Sequence, residues 1–202
     1  MLLLGITGGI GAGKSTTCLA LSEFGIPWID TDQVARDQTA PGTGGLNDIV
    51  REFGPEVLDS RGELRRDSLA RIVFGNPDGL RRLEGILHPR ISRVWRDQVS
   101  RWKAAGLPVG AVIIPLLFEK GYEPDFGRTI CLGCTRRTQF DRLRRRSWTE
   151  EQIEARVRAQ LPLAEKMSRA DFVIWTEGTL PLHQRQWRRI LKGDDGTTCS
   201  PV

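Results

Sequence analysis

The strongest constraint on the fold is a glycine-rich segment near the start of the chain. Residues 8–15 read GGIGAGKS and fit the pattern G-x-x-x-x-G-K-[ST] at every position. An apolar run at residues 2–6 precedes the segment, and a helical pattern at residues 14–24 follows it. Glycine tolerates left-handed backbone conformations and lets backbone N–H groups approach oxygen atoms closely. A strand, loop and helix in this order predict a nest of amides that binds phosphate groups.

The positions of this motif predict binding of a nucleoside triphosphate together with Mg²⁺. Lys14 supplies a point charge for the β- and γ-phosphates, and the Ser15 hydroxyl is a candidate Mg²⁺ ligand. Thr16 is a candidate contact for the α-phosphate, and the helix dipole adds positive potential. A chance match to the motif in a chain of this length has a probability below about one in a hundred. The predicted ATP-binding residues are Gly11, Ala12, Gly13, Lys14, Ser15 and Thr16.

The rest of the chain predicts an α/β fold. Five short apolar segments, interpreted as strands, lie at residues 2–6, 26–29, 109–115, 129–132 and 172–175. Helical patterns lie at residues 14–24, 45–53, 66–104 with a break at 75–77 and a bend near Pro89, 136–146, 150–160 and 180–191. Wholly apolar strands are typical of a parallel sheet that is covered on both faces. Five strands alternating with helices therefore predict a three-layer domain around a five-stranded parallel sheet.

Composition excludes several classes of protein. No apolar run reaches the ~20 residues of a membrane helix, and the N-terminus lacks a signal-peptide pattern. Cys131 and Cys134 form a single CxxC with no second pair and no His nearby, so we expect no zinc site. We also expect no haem, and these features together point to a reducing cytoplasm. The net charge of +5 suits anionic partners such as nucleotides or nucleic acid. The chain has a single Tyr, and no aromatic ladder accompanies its arginines, which weighs against nucleic acid.

Two aspartates and one arginine are candidate reacting groups. Asp30 and Asp32 follow the second predicted strand, and open parallel sheets bind ligands at the carboxyl ends of their strands. Such a carboxylate can accept a proton from an attacking hydroxyl, hold Mg²⁺ through water, or merely cap the following helix. We favour a functional role for Asp32 and leave Asp30 open. Six arginines lie between residues 136 and 146; most are expected on a solvated face, and Arg142 is the predicted phosphate contact.

Two absences in the sequence favour a small kinase over other nucleotide-binding classes. The chain has no NKxD base-recognition motif of the kind found in GTPases. The apolar run at residues 109–115 does not end in an aspartate that could serve as an ATPase-type metal ligand, because it continues into Leu116-Leu117-Phe118-Glu119. We therefore expect phosphoryl transfer to a small molecule.

Further segments carry a family resemblance over residues 1 to about 191. They are Thr7 to Thr16, Asp30-Thr31-Asp32 with Arg36, Leu64-Arg65-Arg66, His88-Pro89, Pro115 to Glu119, Gln139, Arg142, Arg146, Gln160, Lys166 and Ala170 to Ile174. In this order and spacing the chain resembles the dephospho-CoA kinase family. Three positions depart from the family pattern: Ala12 stands where Ser is common, Thr31 where Ala or Ser is usual, and Trp175-Thr176 where an Asn is common. The last departure puts adenine-side recognition in doubt.

The resemblance implies a P-loop kinase that transfers the γ-phosphoryl of ATP to the ribose 3′-hydroxyl of dephospho-CoA, giving CoA and ADP. It implies Asp32 as the base for that hydroxyl and places Arg142 in a lid. Arg66 and His88 fall in the acceptor-binding lobe, although His88 also suits a structural role at a helix bend. For Glu119, a role in substrate binding and a purely structural role both stay open.

The resemblance also implies a fold like that of the nucleoside monophosphate kinases, built as one domain over residues 1–202. We expect a core at about 1–58, 106–135 and 168–191, a helical substrate lobe at about 59–105, a lid at about 136–167 and a frayed tail at 193–202. Two alternatives stay open. One is a P-loop kinase for another nucleoside or small metabolite, and the other is a non-enzymatic module that binds nucleotide or nucleic acid.

Overall fold

Five strands form one parallel sheet in the computed structural model, which describes residues 1–73 and 76–192. The strands are β1 (Leu2–Gly8), β2 (Trp28–Asp30), β3 (Val109–Ile113), β4 (Arg128–Gly133) and β5 (Phe172–Trp175). Their order across the sheet is β2-β3-β1-β4-β5, and every pairing is parallel. The five-stranded parallel α/β fold predicted from the sequence is confirmed. The predicted frayed tail at residues 193–202 lies outside the described residues.

The helices fall close to the predicted segments, with two additions. They are α1 (Lys14–Glu23), α2 (Thr31–Gln38), α3 (Gly44–Phe53), α4 (Arg66–Val73), α5 (Pro77–Ala104), α6 (Arg136–Arg144), α7 (Glu150–Arg158), α8 (Leu163–Arg169) and α9 (Leu180–Lys192). The patterns gave no bounds for α2 and did not predict α8. α5 continues through Pro89 as a single helix.

The first of two compact units contains the sheet and is formed by residues 1–30 and 102–202, described to residue 192. Strand β1 lies at the centre of the sheet, so Leu4 and Ile6 are fully buried. Apolar side chains of α1 and α9, including Leu21 and Trp187, join the same core. Burial on both faces explains why these strands are apolar throughout instead of alternating.

The second unit comprises residues 31–101 and is helical. Ile49, Phe53 and Val57 pack with Leu69 and Val73 in a separate core. The unit begins directly after β2, so residues 31–58 group with the helices that follow them. The assignment of a substrate lobe and a lid by function stays a prediction. No helix within residues 1–73 and 76–192 is both long and apolar enough to cross a membrane.

Candidate active site

The glycine-rich loop connects β1 to α1 at the carboxyl end of the central strand. Gly13 occupies the N-cap position of α1 with φ 100° and ψ 24°, a left-handed conformation in which other residues are strained. Gly13 has no side chain with which to cap the helix. The first amides of a helix lack intrahelical partners, so this end of α1 presents N–H groups and the positive end of the helix dipole. That arrangement suits a phosphate group.

The three residues that follow Gly13 stand in the first turn of α1. Lys14 is half-buried, whereas Ser15 and Thr16 are exposed. The exposed Ser15 hydroxyl suits a Mg²⁺ ion that arrives with a triphosphate, because such an ion takes one or two protein oxygens and several from phosphate and water. Among the described residues, no group of three or more His, Cys, Asp or Glu side chains could hold a metal ion.

Helix α6 packs closely against the loop. A Cβ atom on Gly11, whose φ is 76°, would lie 3.0 Å from the Gln139 backbone oxygen and 3.1 Å from Leu143 Cγ. The Gln139 side chain donates a hydrogen bond from Nε2 to the Ile10 carbonyl (2.7 Å). Gln160, between α7 and α8, accepts one from the Ile10 backbone N–H (3.1 Å). Both hydrogen-bonding groups of one loop residue are thus bound by glutamine side chains.

Arg142 differs in environment from the other arginines of residues 136–146. It is half-buried, and the other five are exposed, as expected for a solvated face. Its Nη1 donates to the Gly11 carbonyl (3.2 Å) and to Thr176 Oγ1 (2.9 Å), and its Nη2 donates to the Thr176 carbonyl (2.6 Å). The guanidinium charge therefore lies beside the glycine-rich loop.

The two candidate aspartates lie on either side of the boundary between the units. Asp30 ends β2 in the first unit and pairs with Ile113 in the sheet. Asp32 is the second residue of α2 in the second unit, where it is exposed. An acidic side chain in the first turn of a helix is stabilised by the helix dipole.

The predicted acceptor residues also belong to the second unit. Arg66 opens α4, is exposed, and donates from Nη2 to Thr39 Oγ1 (3.0 Å). His88 lies half-buried within α5, next to Pro89. The sequence placed both residues in one lobe, and the structure places both in one compact unit.

Glu119 follows β3 and forms a buried ion pair. Its Oε1 lies 2.7 Å from Lys166 Nζ and accepts the Leu161 backbone N–H (2.9 Å). Lys166 is fully buried and also donates to the Pro115 carbonyl (2.6 Å), which accepts a second hydrogen bond from Thr7 Oγ1 (3.1 Å). Glu119 Oε2 is buried and has no hydrogen-bond partner among the described residues. This network braces the end of β1 directly before the loop.

The cysteines of the CxxC pair are buried in β4 and directly after it. Burial raises the pKa of Cys131 to about 12, and burial also raises the pKa of Cys134. A thiol with a raised pKa carries little thiolate at neutral pH and is a poor nucleophile or metal ligand.

Two polar residues near the loop were not singled out from the sequence. Thr176 was noted only as a departure from the family pattern, and its hydroxyl now proves to contact Arg142. His183 on α9 is buried, and its Nε2 accepts a hydrogen bond from Trp187 Nε1 (3.1 Å) and lies 3.4 Å from Thr17 Oγ1. Burial, followed by the charge of Arg142, lowers the pKa of His183. A buried histidine on an amphipathic helix gives no sequence signal that separates it from an exposed one.

Comparison with known proteins agrees with this geometry. The family model described as dephospho-CoA kinase matches residues 2–181. The dephospho-CoA kinase of Bdellovibrio bacteriovorus is 38% identical over 192 residues, which are 95% of this chain and 96% of that protein. The dephospho-CoA kinase of Geobacillus kaustophilus is 39% identical with the same coverage of both chains. The crystal structure of TT1252 from Thermus thermophilus superposes with a TM-score of 0.81 and 34% identity, covering 94% of this chain and 96% of that chain. The chain belongs to the dephospho-CoA kinase family.

Proposed function

We propose that this chain transfers the γ-phosphoryl group of ATP to the ribose 3′-hydroxyl of dephospho-CoA. The observation that carries the proposal is the N-terminus of α1 behind the left-handed Gly13, which provides no capping side chain, within a chain of this family. A bond forms between the 3′-oxygen and the γ-phosphorus, and the bond from that phosphorus to the β–γ bridging oxygen breaks. ADP leaves, and the hydroxyl proton passes to a carboxylate.

The first unit supplies the groups that bind and neutralise the triphosphate. The loop amides and the first turn of α1 would receive the phosphate oxygens, with Lys14 on the β- and γ-phosphates. Bound with ATP, Mg²⁺ would neutralise part of the phosphate charge, held on the protein side by Ser15. The half-buried Arg142 adds positive charge at the loop.

The second unit supplies the groups that handle the acceptor. Asp32 is the proposed base, since an exposed carboxylate is able to meet a hydroxyl and accept its proton. Arg66 and His88 are proposed to bind the acceptor. Glu119 holds Lys166 through one oxygen, so we propose that it contributes by bracing the end of β1. Free thiols at Cys18, Cys131 and Cys134 are in keeping with a proposed cytoplasmic location.

A coupled assay of ADP release with Mg·ATP, run with and without dephospho-CoA, tests the proposal. We expect ADP release to depend on dephospho-CoA, and mass spectrometry to find one added phosphoryl group at the 3′ position of the product. ATP binding without this turnover would retain the phosphate loop and exclude dephospho-CoA as the acceptor. A screen of nucleosides and small metabolites would then follow.

A further inference from the structure

Three successive carbonyl groups of the glycine-rich loop are each bound by a side chain from outside the loop. The pairs are Gln139 Nε2 to the Ile10 carbonyl at 2.7 Å, Arg142 Nη1 to the Gly11 carbonyl at 3.2 Å and Thr176 Oγ1 to the Ala12 carbonyl at 2.8 Å. The carbonyl before them, that of Gly9, accepts the Ala12 backbone N–H (3.0 Å). Every carbonyl from residue 9 to residue 12 therefore has a donor.

A phosphate-binding loop has to point its amides toward the ligand and its carbonyls away from it. A carbonyl that rotated toward the phosphates would place a partial negative charge against an anion. Donors on the outer side of the loop oppose that rotation, because breaking such a hydrogen bond leaves a polar group unsatisfied. The orientation of the amides is then fixed before the nucleotide arrives, which lowers the cost of binding.

We propose that Thr176 is a positioning residue that holds the loop in its phosphate-binding conformation together with Arg142. The inference rests on the proposed function, since it assigns the residue to the nucleotide site of that reaction. The proposal thereby assigns a role in the phosphate-binding loop to Thr176, which departs from the family pattern.

Thr176 is suited to this task because its hydroxyl accepts and donates at once. Oγ1 accepts from Arg142 Nη1 (2.9 Å) and reaches two carbonyl acceptors, Ala12 (2.8 Å) and Gly133 (3.1 Å). The Thr176 backbone is itself fixed, because its N–H donates to the Gly133 carbonyl (2.8 Å). The residue also lies against the loop, since a Cβ atom on Gly13 would stand 3.1 Å from Thr176 Cβ. Valine would match the shape of this side chain and lose every hydrogen bond of the hydroxyl, whereas serine would keep the hydroxyl.

A second threonine provides a matched control in the same unit. Thr129, near the amino end of β4, donates from Oγ1 to Asp171 Oδ2 (2.8 Å) and accepts the Asp171 backbone N–H (3.1 Å). Its hydroxyl therefore has the same double use as that of Thr176. The loop lies at the carboxyl end of the parallel strands, so Thr129→Val removes comparable hydrogen bonds away from it.

The experiment compares Thr176→Val, Thr176→Ser and Thr129→Val with the unchanged chain. The dissociation constant of Mg·ADP is measured by calorimetry without any acceptor, alongside KM for each substrate and the melting temperature. We expect Thr176→Val to weaken Mg·ADP binding and raise KM for ATP about tenfold, the scale of a hydrogen-bond loss. KM for dephospho-CoA should stay within about twofold. Thr176→Ser should bind Mg·ADP within about twofold of the unchanged chain, and Thr129→Val should lower the melting temperature only.

Two results would overturn the proposal. One is unchanged Mg·ADP affinity in Thr176→Val, and the other is an equal loss of affinity in Thr129→Val, which would reduce Thr176 to a structural role. If Thr176→Val does not fold, Gln139→Met tests the same mechanism by removing the donor to Ile10, with the same tenfold loss expected. If Thr176→Val weakens Mg·ADP binding but the unchanged chain does not phosphorylate dephospho-CoA, the positioning role stands and the proposed function is rejected.

Discussion

The buried ion pair beside the loop contrasts with an exposed ion pair in the second unit. Beside the loop, in the first unit, the side chain of Lys166 is 0% exposed and that of its partner Glu119 is 14% exposed. In the second unit, Arg82 and Glu52 form an ion pair whose side chains are 53% and 35% exposed. Exposed pairs contribute about 0–1 kcal/mol to stability, whereas removing one partner of a buried pair costs about 3–5 kcal/mol.

We relate this difference to the separate roles proposed for the two units. In the first unit, the side chains of Gln139, Arg142 and Thr176 bind loop carbonyls, which in our proposal holds the loop in one conformation before ATP binds. The second unit presents Asp32 and Arg66 as exposed side chains that a ligand is able to reach. Changes in the first unit should therefore affect stability and nucleotide affinity. Changes in the second unit should affect the acceptor and the chemical step.

The largest expected effect tests the second unit. Asp32→Asn removes the proposed base and should lower kcat on the order of 10³-fold, within the range of general-base catalysis. The affinity for Mg·ATP should stay within about twofold, as measured by calorimetry beside the steady-state assay. Asp37 is another exposed aspartate on α2, so Asp37→Asn is the control and should keep normal turnover. Turnover near normal in Asp32→Asn would remove Asp32 from the role of base.

Lys14→Ala is the corresponding test of nucleotide binding by the first unit. Loss of the ammonium group that we propose binds the β- and γ-phosphates should lower kcat/KM for ATP by roughly 10²–10³-fold, the scale for one charge-stabilising donor. Unlike Asp32→Asn, this change should also weaken Mg·ADP binding in the absence of acceptor. Lys103→Ala, an exposed lysine of α5, serves as control. A kcat/KM within a few-fold of normal in Lys14→Ala would refute the assignment of the loop.

The contrast in burial predicts a difference in stability between two cation removals. Lys166→Met leaves the Glu119 carboxylate buried without its cation and should lower the free energy of unfolding by about 3 kcal/mol. Arg82→Met removes the cation of an exposed pair and should cost at most about 1 kcal/mol. Urea titrations followed by circular dichroism give both values. Equal losses in the two variants would abolish the distinction drawn between these two ion pairs.

Arg66→Gln tests whether the second unit serves the acceptor alone. If the guanidinium binds an anionic group of dephospho-CoA, its loss should raise KM for dephospho-CoA about tenfold, as expected for a hydrogen bond to a charged group. KM for ATP should not change. Arg71→Gln, on the same helix and exposed, controls for a general loss of positive charge. An equal rise in both KM values for Arg66→Gln would contradict the division between the units.

Local patterns predicted most of the fold, because strands and the glycine-rich loop are specified by adjacent residues. Helix α8 was missed since its seven residues after Pro162 are too few to show a periodic pattern. The contacts around the loop join residues far apart in sequence, 129 positions for Gln139 with Ile10 and 164 for Thr176 with Ala12. No spacing rule connects such pairs. The roles of Asp32, Arg66 and His88 stay predictions.

The smallest expected effect concerns pH and the packing of α9 against α1. Burial lowers the pKa of His183, and its Nε2 already accepts the Trp187 N–H, so a proton there would set two donors against each other. The unfolded chain binds that proton near the ordinary pKa of 6.5 and the folded chain only at lower pH. Stability from this residue is therefore complete above pH 6.5 and declines as the pH falls toward the lowered value.

The two histidines of the chain make this effect testable. The melting temperature should fall between pH 7.5 and pH 5.5 in the unchanged chain and in His88→Gln, and it should fall less in His183→Gln. The comparison uses the change with pH within each variant, so a general loss of stability in His183→Gln does not obscure it. Parallel pH profiles in all three proteins would mean that His183 accepts its proton as readily when folded as when unfolded.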